Sequence, residues 1–237
     1  MLRKMGCMAL VVLVMGACQK ADSEDIKTSG MHATITATSD GDGTHVQAVL
    51  RVGGAASNTI VRLSSGDKLT ATAGDETAVL SETQILSYTS YATEMQSDAD
   101  GQLFVVALER ASEEDKDALE NKATLPNGFT VSAPVANAII KRSQQLVIDW
   151  APSGTSDEMD IVVDGDCVRV ETFDVSGDPG TFTINAGTIK AHNDRENESC
   201  NGTIVVKRTR AGTLDPAFGS GVVTGVQART INVRIDP

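Results

Sequence analysis

Short runs rich in Val, Ile and Thr, separated by Gly, Asp, Asn and Ser, recur along the chain from residue 31 to its end. Branched side chains favour extended strands, and the intervening residue types favour turns. Residues 32–38 and 45–52, for example, flank the turn-forming segment 39–44, which predicts a hairpin. The pattern predicts further strands at 59–64, 68–73, 77–80, 102–110, 129–133, 145–150, 159–163, 168–173, 181–184, 203–208 and 230–235. The chain is therefore predicted to be all-β.

About seven short strands in each half favour two antiparallel β-sandwich domains, at residues 31–124 and 125–237. The boundary is placed where Leu125, Pro126 and Asn127 interrupt the strand pattern. Just before it, the highly charged stretch 111–122 predicts a short surface helix, with Ser112 and Asp115 spaced as a capping box. This stretch is interpreted as a solvated connector in preference to an acidic docking patch.

The N-terminus has a pattern of its own. Arg3 and Lys4 precede an apolar run at 5–15, a Gly-Ala pair at 16–17 and then Cys18. The run is too short to span a bilayer, which needs about twenty apolar residues, so it is typical of a cleaved signal segment. The arrangement resembles the lipobox of bacterial lipoproteins, in which two small residues precede a cysteine that is lipidated and becomes the new N-terminus.

The lipobox resemblance implies that residues 1–17 are a signal peptide and that acyl chains, such as palmitate, on Cys18 anchor the chain to a membrane. Gln19 directly follows Cys18. An aspartate at this position would imply retention at the inner membrane, so the resemblance implies the outer membrane, on either side of it. Residues 18–30 are polar, have little to bury and are predicted to form a flexible tether.

Four cysteines are present, of which Cys7 lies in the signal segment and Cys18 is the candidate lipidation site. Cys167 and Cys200 then remain in an oxidising compartment, where a disulfide between them is expected. A zinc site is disfavoured because the pair lacks CxxC spacing and has only His192 nearby.

The order of features in residues 129–237 resembles that of bacterial immunoglobulin-like domains. Trp150 ends an early strand, Pro152 and Gly154 lie in the following turn, and the two cysteines come later. Both cysteines follow the tryptophan, unlike the antibody pattern, so a disulfide across the core is not implied. Trp150 is interpreted as a core residue rather than a binding platform.

The net charge argues against nucleic acid as a partner. It is −12 for the whole chain and becomes −14 when the two basic residues of the signal are lost. Such a surface would repel the phosphates of nucleic acid, and it argues against docking on anionic lipid headgroups beyond the acyl anchor. Cationic partners, divalent ions and simple solubility all remain compatible with it.

Three acidic turns resemble parts of calcium-binding loops: Asp-Gly-Asp-Gly at 40–43, Asp-Ala-Asp-Gly at 98–101 and Asp-Gly-Asp at 164–166. None completes the twelve-residue helix-loop-helix pattern with its closing bidentate Glu. Asp and Gly are also the usual residues of hairpin turns, so calcium is a minor alternative and no cofactor is expected.

No catalytic constellation stands out. Ser65 and Lys68 have SxxK spacing, but their segment is interpreted as a turn without the partner motifs of serine enzymes. Three glycines at 219, 221 and 225 are interpreted as turn glycines and not as a phosphate loop. His32 and His45 flank the first hairpin out of register, which disfavours a joint metal site. Tyr88 and Tyr91 are accommodated by a strand and its turn without a ligand.

These patterns favour a non-catalytic envelope lipoprotein that acts as a binding or structural module, held by its lipid anchor and with an envelope protein as a possible partner. Two alternatives stay open. The first is a calcium-stabilised adhesion or matrix module, whose melting temperature would fall in the presence of a chelator. The second is a hydrolase with an unrecognised site, which would show activity in a broad substrate screen.

Overall fold

The computed structural model describes residues 19–85 and 88–237. The predicted signal peptide and Cys18 lie outside the described residues. Eighteen strands are present in this part of the chain, together with two short 3-10 turns at Ser23–Asp25 and Thr28–Gly30. The strands of the first half are β1 (Gln19–Asp22), β2 (Met31–Ser39), β3 (Thr44–Val52), β4 (Thr59–Arg62), β5 (Lys68–Ala73), β6 (Glu76–Val79), β7 (Ser81–Ile85), β8 (Tyr88–Met95), β9 (Leu103–Glu109) and β10 (Ala118–Thr124). Those of the second half are β11 (Thr130–Ala133), β12 (Ile139–Lys141), β13 (Leu146–Ala151), β14 (Glu158–Gly165), β15 (Val168–Val175), β16 (Thr181–Ile184), β17 (Cys200–Ala211) and β18 (Ser220–Asp236).

The strands form one long sheet and two small ones. The long sheet has eleven strands, with the main order β1-β4-β3-β2-β18-β17-β14-β15 and with β7, β8 and β12 joined to it. The first small sheet has the order β10-β9-β5-β6, and the second has the order β11-β13-β16. The predicted all-β class, with sheets packed as sandwiches, is confirmed.

The long sheet is shared by both halves of the chain through strand β18. Residues 220–227 of β18 pair in parallel with β2, and residues 224–235 pair on the other edge with the whole of β17. Side chains alternate between the two faces of a strand. Val223 therefore points to the same face as Ile231 and Ile235, although Val223 packs in the first core and the two isoleucines pack in the second. One face of the long sheet thus covers two cores, each closed by a small sheet.

Each core is rich in aliphatic side chains. The first lies between β2 and β3 of the long sheet and the first small sheet, with Ile35, Leu50, Leu69 and Phe104 fully buried. The second includes Trp150 and is closed by the second small sheet. The chain passes from the first small sheet to the second between Thr124 and Thr130, around the predicted boundary. Leu214, Ala217, Phe218 and Val223, however, return to pack in the first core.

Three arginines of β17 and β18 fasten the connection between the two small sheets. Each donates a hydrogen bond to a backbone oxygen of this connection: Arg210 to Leu125 at 3.2 Å, Arg208 to Asn127 at 2.7 Å and Arg229 to Phe129 at 2.9 Å. Since the connection is bonded along its length and the long sheet runs past it, the two halves form one continuous structure.

The helix predicted at 111–122 is wrong. Residues 111–117 form turns, and the remainder is strand β10, paired with β9. Ala118, Asn121 and Ala123 are buried on the first core, and the Asn121 amide donates to two backbone oxygens, of Val106 and Ala118. Pairing with β9 and this burial outweigh the local helical propensity of a charged stretch.

The segment 19–30 differs from the predicted flexible tether. Its first four residues form β1, which pairs in parallel with β4, and the side chains of Ser23 and Thr28 are buried. The composition gave no hint of this, because the segment is fastened largely by hydrogen bonds, and Ile26 is the side chain of this segment that packs against the first core.

Candidate functional site

The most buried charges of the described residues lie where the two halves meet. Arg208 and Asp178 form an ion pair at 2.8 Å with both side chains fully buried. Asp178 also accepts hydrogen bonds from the Trp150 indole at 2.7 Å and from the Thr155 hydroxyl at 2.8 Å. The Arg208 guanidinium lies over the Phe129 ring, 4.8 Å from its centroid. Every oxygen of Asp178 is occupied, so the cluster is a structural element of the junction.

The pKa of Asp178 reflects this environment. Burial alone raises it, but the hydrogen bonds from Trp150 and Thr155 and the charge of Arg208 outweigh burial, and the pKa lies below its usual value. Asp178 is therefore ionised at neutral pH. The position of Trp150, 3% exposed and bonded inward, is that of the core residue predicted from the sequence.

Two of the three acidic turns meet an arginine at the junction. Burial lowers the pKa of Arg229, while Asp40, Asp100 and Asp42 favour its charged form. A Cβ added at Gly41 would lie 3.4 Å from the Arg229 guanidinium carbon. The Arg229 guanidinium thus places a positive charge beside the carboxylates of these two turns. Within residues 19–85 and 88–237, no group of three or more His, Cys, Asp or Glu side chains is arranged to hold a metal ion.

The third acidic turn lines a polar pocket at the far end of the second half. The pocket encloses about 490 Å³ and is open to solvent. Its lining residues are polar or small except for one valine: Asn137, Asp164, Gly165, Asp166, Asn201, Gly202, Thr203, Asn232 and Val233.

The register of three strands builds the floor of this pocket. Asp164 of β14 pairs with Thr203 of β17, and Thr203 pairs with Asn232 of β18, so the three side chains form one row across the sheet. Their neighbours Ile204 and Ile231 are buried in the second core. Because alternate side chains take opposite faces, the row points away from the core, toward solvent.

Two backbone features shape the sheet beside this row. Gly202 faces the core side of β17, where a Cβ would lie 2.4 Å from the buried Ile235 side chain and 2.6 Å from the Asp164 backbone oxygen, so only glycine fits. Asn137 takes a left-handed conformation with φ of 63°, and its backbone N–H donates to the Asn232 oxygen at 2.7 Å. The pocket offers carboxamide, hydroxyl and carboxylate groups on a preformed surface.

The predicted disulfide is confirmed and lies beside the pocket. Cys167 and Cys200 are bonded, with their Cα atoms 5.7 Å apart. The bond joins the turn between β14 and β15 to the first residue of β17, next to Asn201. It therefore fastens the end of the molecule that contains the pocket, and it does not join the two sheets across the second core.

The three histidines lie far apart in the fold. His32 is buried and bonded through Nδ1 to the Ser220 hydroxyl at 2.8 Å. His45 is exposed and contacts Glu94 of the neighbouring strand at 2.6 Å. His192 lines a shallow surface depression near the disulfide. Within the described part of the chain, His32 is the one of the three that contacts a hydroxyl side chain, and it lies 7% exposed between the paired strands β2 and β18.

Other sequence motifs have structural roles. Ser65 has a positive φ of 53° in a turn and bonds Glu24, while Lys68 pairs with Glu109 at 3.0 Å. Tyr91 is 3% exposed, and its hydroxyl accepts from the Leu63 N–H at 2.7 Å. The side chain of Tyr88 lies outside the described residues.

The interpretation as turn residues is wrong for two of the three glycines. Gly221 and Gly225 belong to strand β18, whereas Gly219 lies in the bend directly before it. A Cβ at Gly221 would lie 2.2 Å from the Ala33 backbone oxygen, and one at Gly225 would lie 2.1 Å from the Thr124 oxygen. A Cβ at Gly219 would lie 2.2 Å from the Ser29 oxygen. The glycines are present because other backbone segments pass directly over this part of β18.

Sequence reasoning did not find the pocket. Asn137, Asn201 and Asn232 are separated by 31 to 64 residues. Only Asn201 belongs to a motif, an Asn-Gly-Thr glycosylation sequon that is interpreted as loop polarity. The alternation of apolar and polar residues in β17 and β18 indicates that Thr203 and Asn232 face solvent, but only the pairing register shows that they are neighbours.

No protein-family model matches the chain, and no curated protein matches it. Among solved structures, it is similar to a biofilm-associated protein BSP domain, with 12% identity, a TM-score of 0.26, and coverage of 86% of this chain and 29% of that one. Fibronectin(III)-like modules of Clostridium thermocellum CbhA match with 11% identity, a TM-score of 0.24, and coverage of 86% and 93%. The adhesin InvE of Yersinia pseudotuberculosis matches with 12% identity, a TM-score of 0.21, and coverage of 88% and 61%.

Among the described residues, no helix has both the length and the apolar character needed to cross a bilayer.

Proposed function

We propose that this chain is a lipid-anchored, non-catalytic binding module of the bacterial outer membrane. In this proposal, acyl chains on Cys18 hold one end of the protein at the membrane. The polar pocket between Asn137, Asn201 and Asn232 receives a ligand at the opposite end.

The observation that carries the proposal is the position of Gln19 relative to the pocket. Gln19 pairs with Thr59, at the end of the long sheet where β18 begins at Ser220. Two backbone bonds mark this end: Gly53 N–H to the Gly30 oxygen at 2.8 Å, and Gly219 N–H to the Met31 oxygen at 3.1 Å. Asn232 lies twelve residues further along β18, which is about 40 Å at a strand rise of ~3.3 Å per residue.

The chemistry of the pocket favours a polar ligand that is neutral or cationic. Asp164 and Asp166 would repel an anion, and the net charge of the protein adds to this effect. The carboxamides and the Thr203 hydroxyl can both donate and accept hydrogen bonds, as hydroxyl-rich ligands require. The structural alternative is that these groups are simply solvated at a sheet surface.

The anchoring is tested by metabolic labelling with an alkyne analogue of palmitate. The wild-type chain should carry the label and sediment with outer membranes, whereas Cys18→Ser should be unlabelled and should keep its signal segment. Mass spectrometry of the mature N-terminus gives an independent reading. An unmodified Cys18 in the wild-type protein would exclude the anchor.

The binding is tested with the purified lipidated protein in detergent on arrays of envelope glycans and peptides. Asn232→Ala and Asp164→Ala should weaken any specific signal at least tenfold. Asn58→Ala, an exposed amide at the opposite end, is the matched control and should leave it unchanged. Equal signals for all three variants would place the binding surface elsewhere.

A further inference from the structure

The segment 19–30 is bonded to the folded body at both ends. At its start, β1 pairs with β4 from Gln19 to Asp22, and the Asp22 carboxylate pairs with Arg62 at 2.8 Å. At its end, the Gly30 oxygen accepts the bond from Gly53. The Ser23 hydroxyl donates to Asp67 at 2.6 Å and accepts from the Ser64 N–H at 2.9 Å.

Arg110 fastens the middle of the same segment. Its side chain is 1% exposed, and its guanidinium donates to the Ser23 oxygen at 2.7 Å, the Thr28 hydroxyl at 2.8 Å and the Ile26 oxygen at 3.2 Å. The charge of Arg110 is balanced by Asp67 and Asp115, each at 2.9 Å. A buried guanidinium that loses these acceptors is costly, so the segment and Arg110 stabilise each other.

A docked segment leaves no free chain between Cys18 and the folded body. Twelve free residues would span up to about 40 Å and would let the body move independently of its anchor. Here strand pairing begins at Gln19, the residue directly after the candidate lipidation site. The loop at residues 53–58 joins β3 to β4 beside Gln19 and contains no charged residue, so it meets headgroups without charge repulsion.

We infer that residues 19–30 and the loop 53–58 form a docked base, which holds this end of the protein directly against the phospholipid headgroups and sets its orientation on the membrane. This inference rests on the proposed lipidation of Cys18. It has a functional consequence: the polar pocket is presented at a defined distance from the bilayer, up to about 40 Å, and does not sample the surface on a tether.

Trypsin release from vesicles tests the docked base. The full chain is produced in a host that acylates lipoproteins, its acyl mass is verified, and it is reconstituted in vesicles of phosphatidylcholine and phosphatidylglycerol. Lys20 and Lys27 are the tryptic sites in the segment, and cleavage at either one detaches the body. Cleavage of a docked segment requires local unfolding, so the wild-type protein should be released slowly.

Arg110→Met should increase the release rate at least tenfold while the disulfide-bonded body stays folded. Arg234→Met, which removes an exposed arginine at the opposite end, is the matched control and should release at the wild-type rate. If Arg110→Met does not fold, the double variant Ser23→Ala, Thr28→Val removes bonds to the segment and spares the arginine. It should also be released faster.

Energy transfer to a rhodamine lipid gives a second readout. A dye attached at Asn58→Cys should transfer energy efficiently to the lipid, and a dye at Asn193→Cys should transfer it weakly. In Arg110→Met, where the segment is undocked, the two transfer efficiencies should become more similar.

The outcomes separate the two proposals. Absence of the acyl mass would overturn the anchoring and the base together. Acylated wild-type protein that is released as fast as Arg110→Met, or equal energy transfer from the two dye positions, would overturn the docked base and leave the anchoring intact.

Discussion

Replacing Asp178 by Ala should be among the most destabilising single changes in the second half. Asp178 and Arg208 are fully buried, and Asp178 accepts four hydrogen bonds: from Arg208, from the Trp150 indole and two from Thr155. The substitution would leave the Arg208 charge buried without a partner, which typically costs 3–5 kcal/mol, so we expect a loss of about 4 kcal/mol of unfolding free energy. For a chain of this size, each kcal/mol lowers Tm by about 2–4 °C, which gives a fall of about 8–16 °C.

The assay for this variant is thermal unfolding at pH 7, followed by tryptophan emission. Trp150 is the single tryptophan, and it donates to Asp178, so its emission reports on this site. Asp164→Ala, an exposed carboxylate of the same half, is the control and should change Tm by less than about 2 °C. A loss below about 1 kcal/mol for Asp178→Ala would refute the argument that the buried charge needs this partner.

The contribution of Asp178 to stability depends on pH with a definite sign, which the variant Asp178→Asn tests. The folded-state pKa of Asp178 is below its unfolded value, so its stabilising effect is complete above the unfolded pKa, near 4, and is lost as the pH falls through the folded pKa. The wild-type protein should therefore lose more stability between pH 5 and pH 2 than Asp178→Asn does.

Three further predictions concern other parts of the fold. Cys167→Ser should cost about 3–4 kcal/mol, because the disulfide closes a loop of 33 residues in the unfolded chain, and intact mass should show a two-dalton increase when the wild-type protein is reduced. Gly225→Ala should cost about 1–3 kcal/mol in urea unfolding, since its Cβ would lie 2.1 Å from a backbone oxygen, whereas Gly54→Ala, with open space around it, should be neutral. Asp160→Asn should raise Tm at pH 7 but not at pH 3, because burial raises the pKa of Asp160 and makes its ionised form unfavourable; a higher Tm at both values would point to another cause.

Most strands could be predicted because their signals are local. Residues 68–73 and 181–184 were predicted with the bounds that the structure has, since alternation and flanking turn residues mark both ends. Strand β10 could not be predicted, because its sequence is highly charged and its burial depends on pairing with β9. Strand β18 was predicted at its C-terminal end alone, since glycines 221 and 225 resemble turn residues until the segments passing over them are known.

The candidate site was less accessible to sequence reasoning than the fold. The disulfide was predicted by elimination among four cysteines, which needs no geometry. Arg110, Arg208 and Asp178 were not singled out, because an arginine or aspartate that is buried has the same sequence signature as one that is exposed. Most of their partners are distant in the chain, between 23 residues away for Thr155 and Asp178 and 87 residues away for Ser23 and Arg110.

The sequence by itself determined that this chain is a β protein, that its two remaining cysteines pair, and that its first eighteen residues resemble a lipoprotein signal. These are properties of local composition and spacing. The tertiary structure alone decided that one long sheet serves both cores, that the polar segment after Cys18 is fastened to the body by Arg110, and that three asparagines share a pocket. Each of these results depends on strand register and on hydrogen bonds between distant residues, and neither is encoded in any short stretch of the chain.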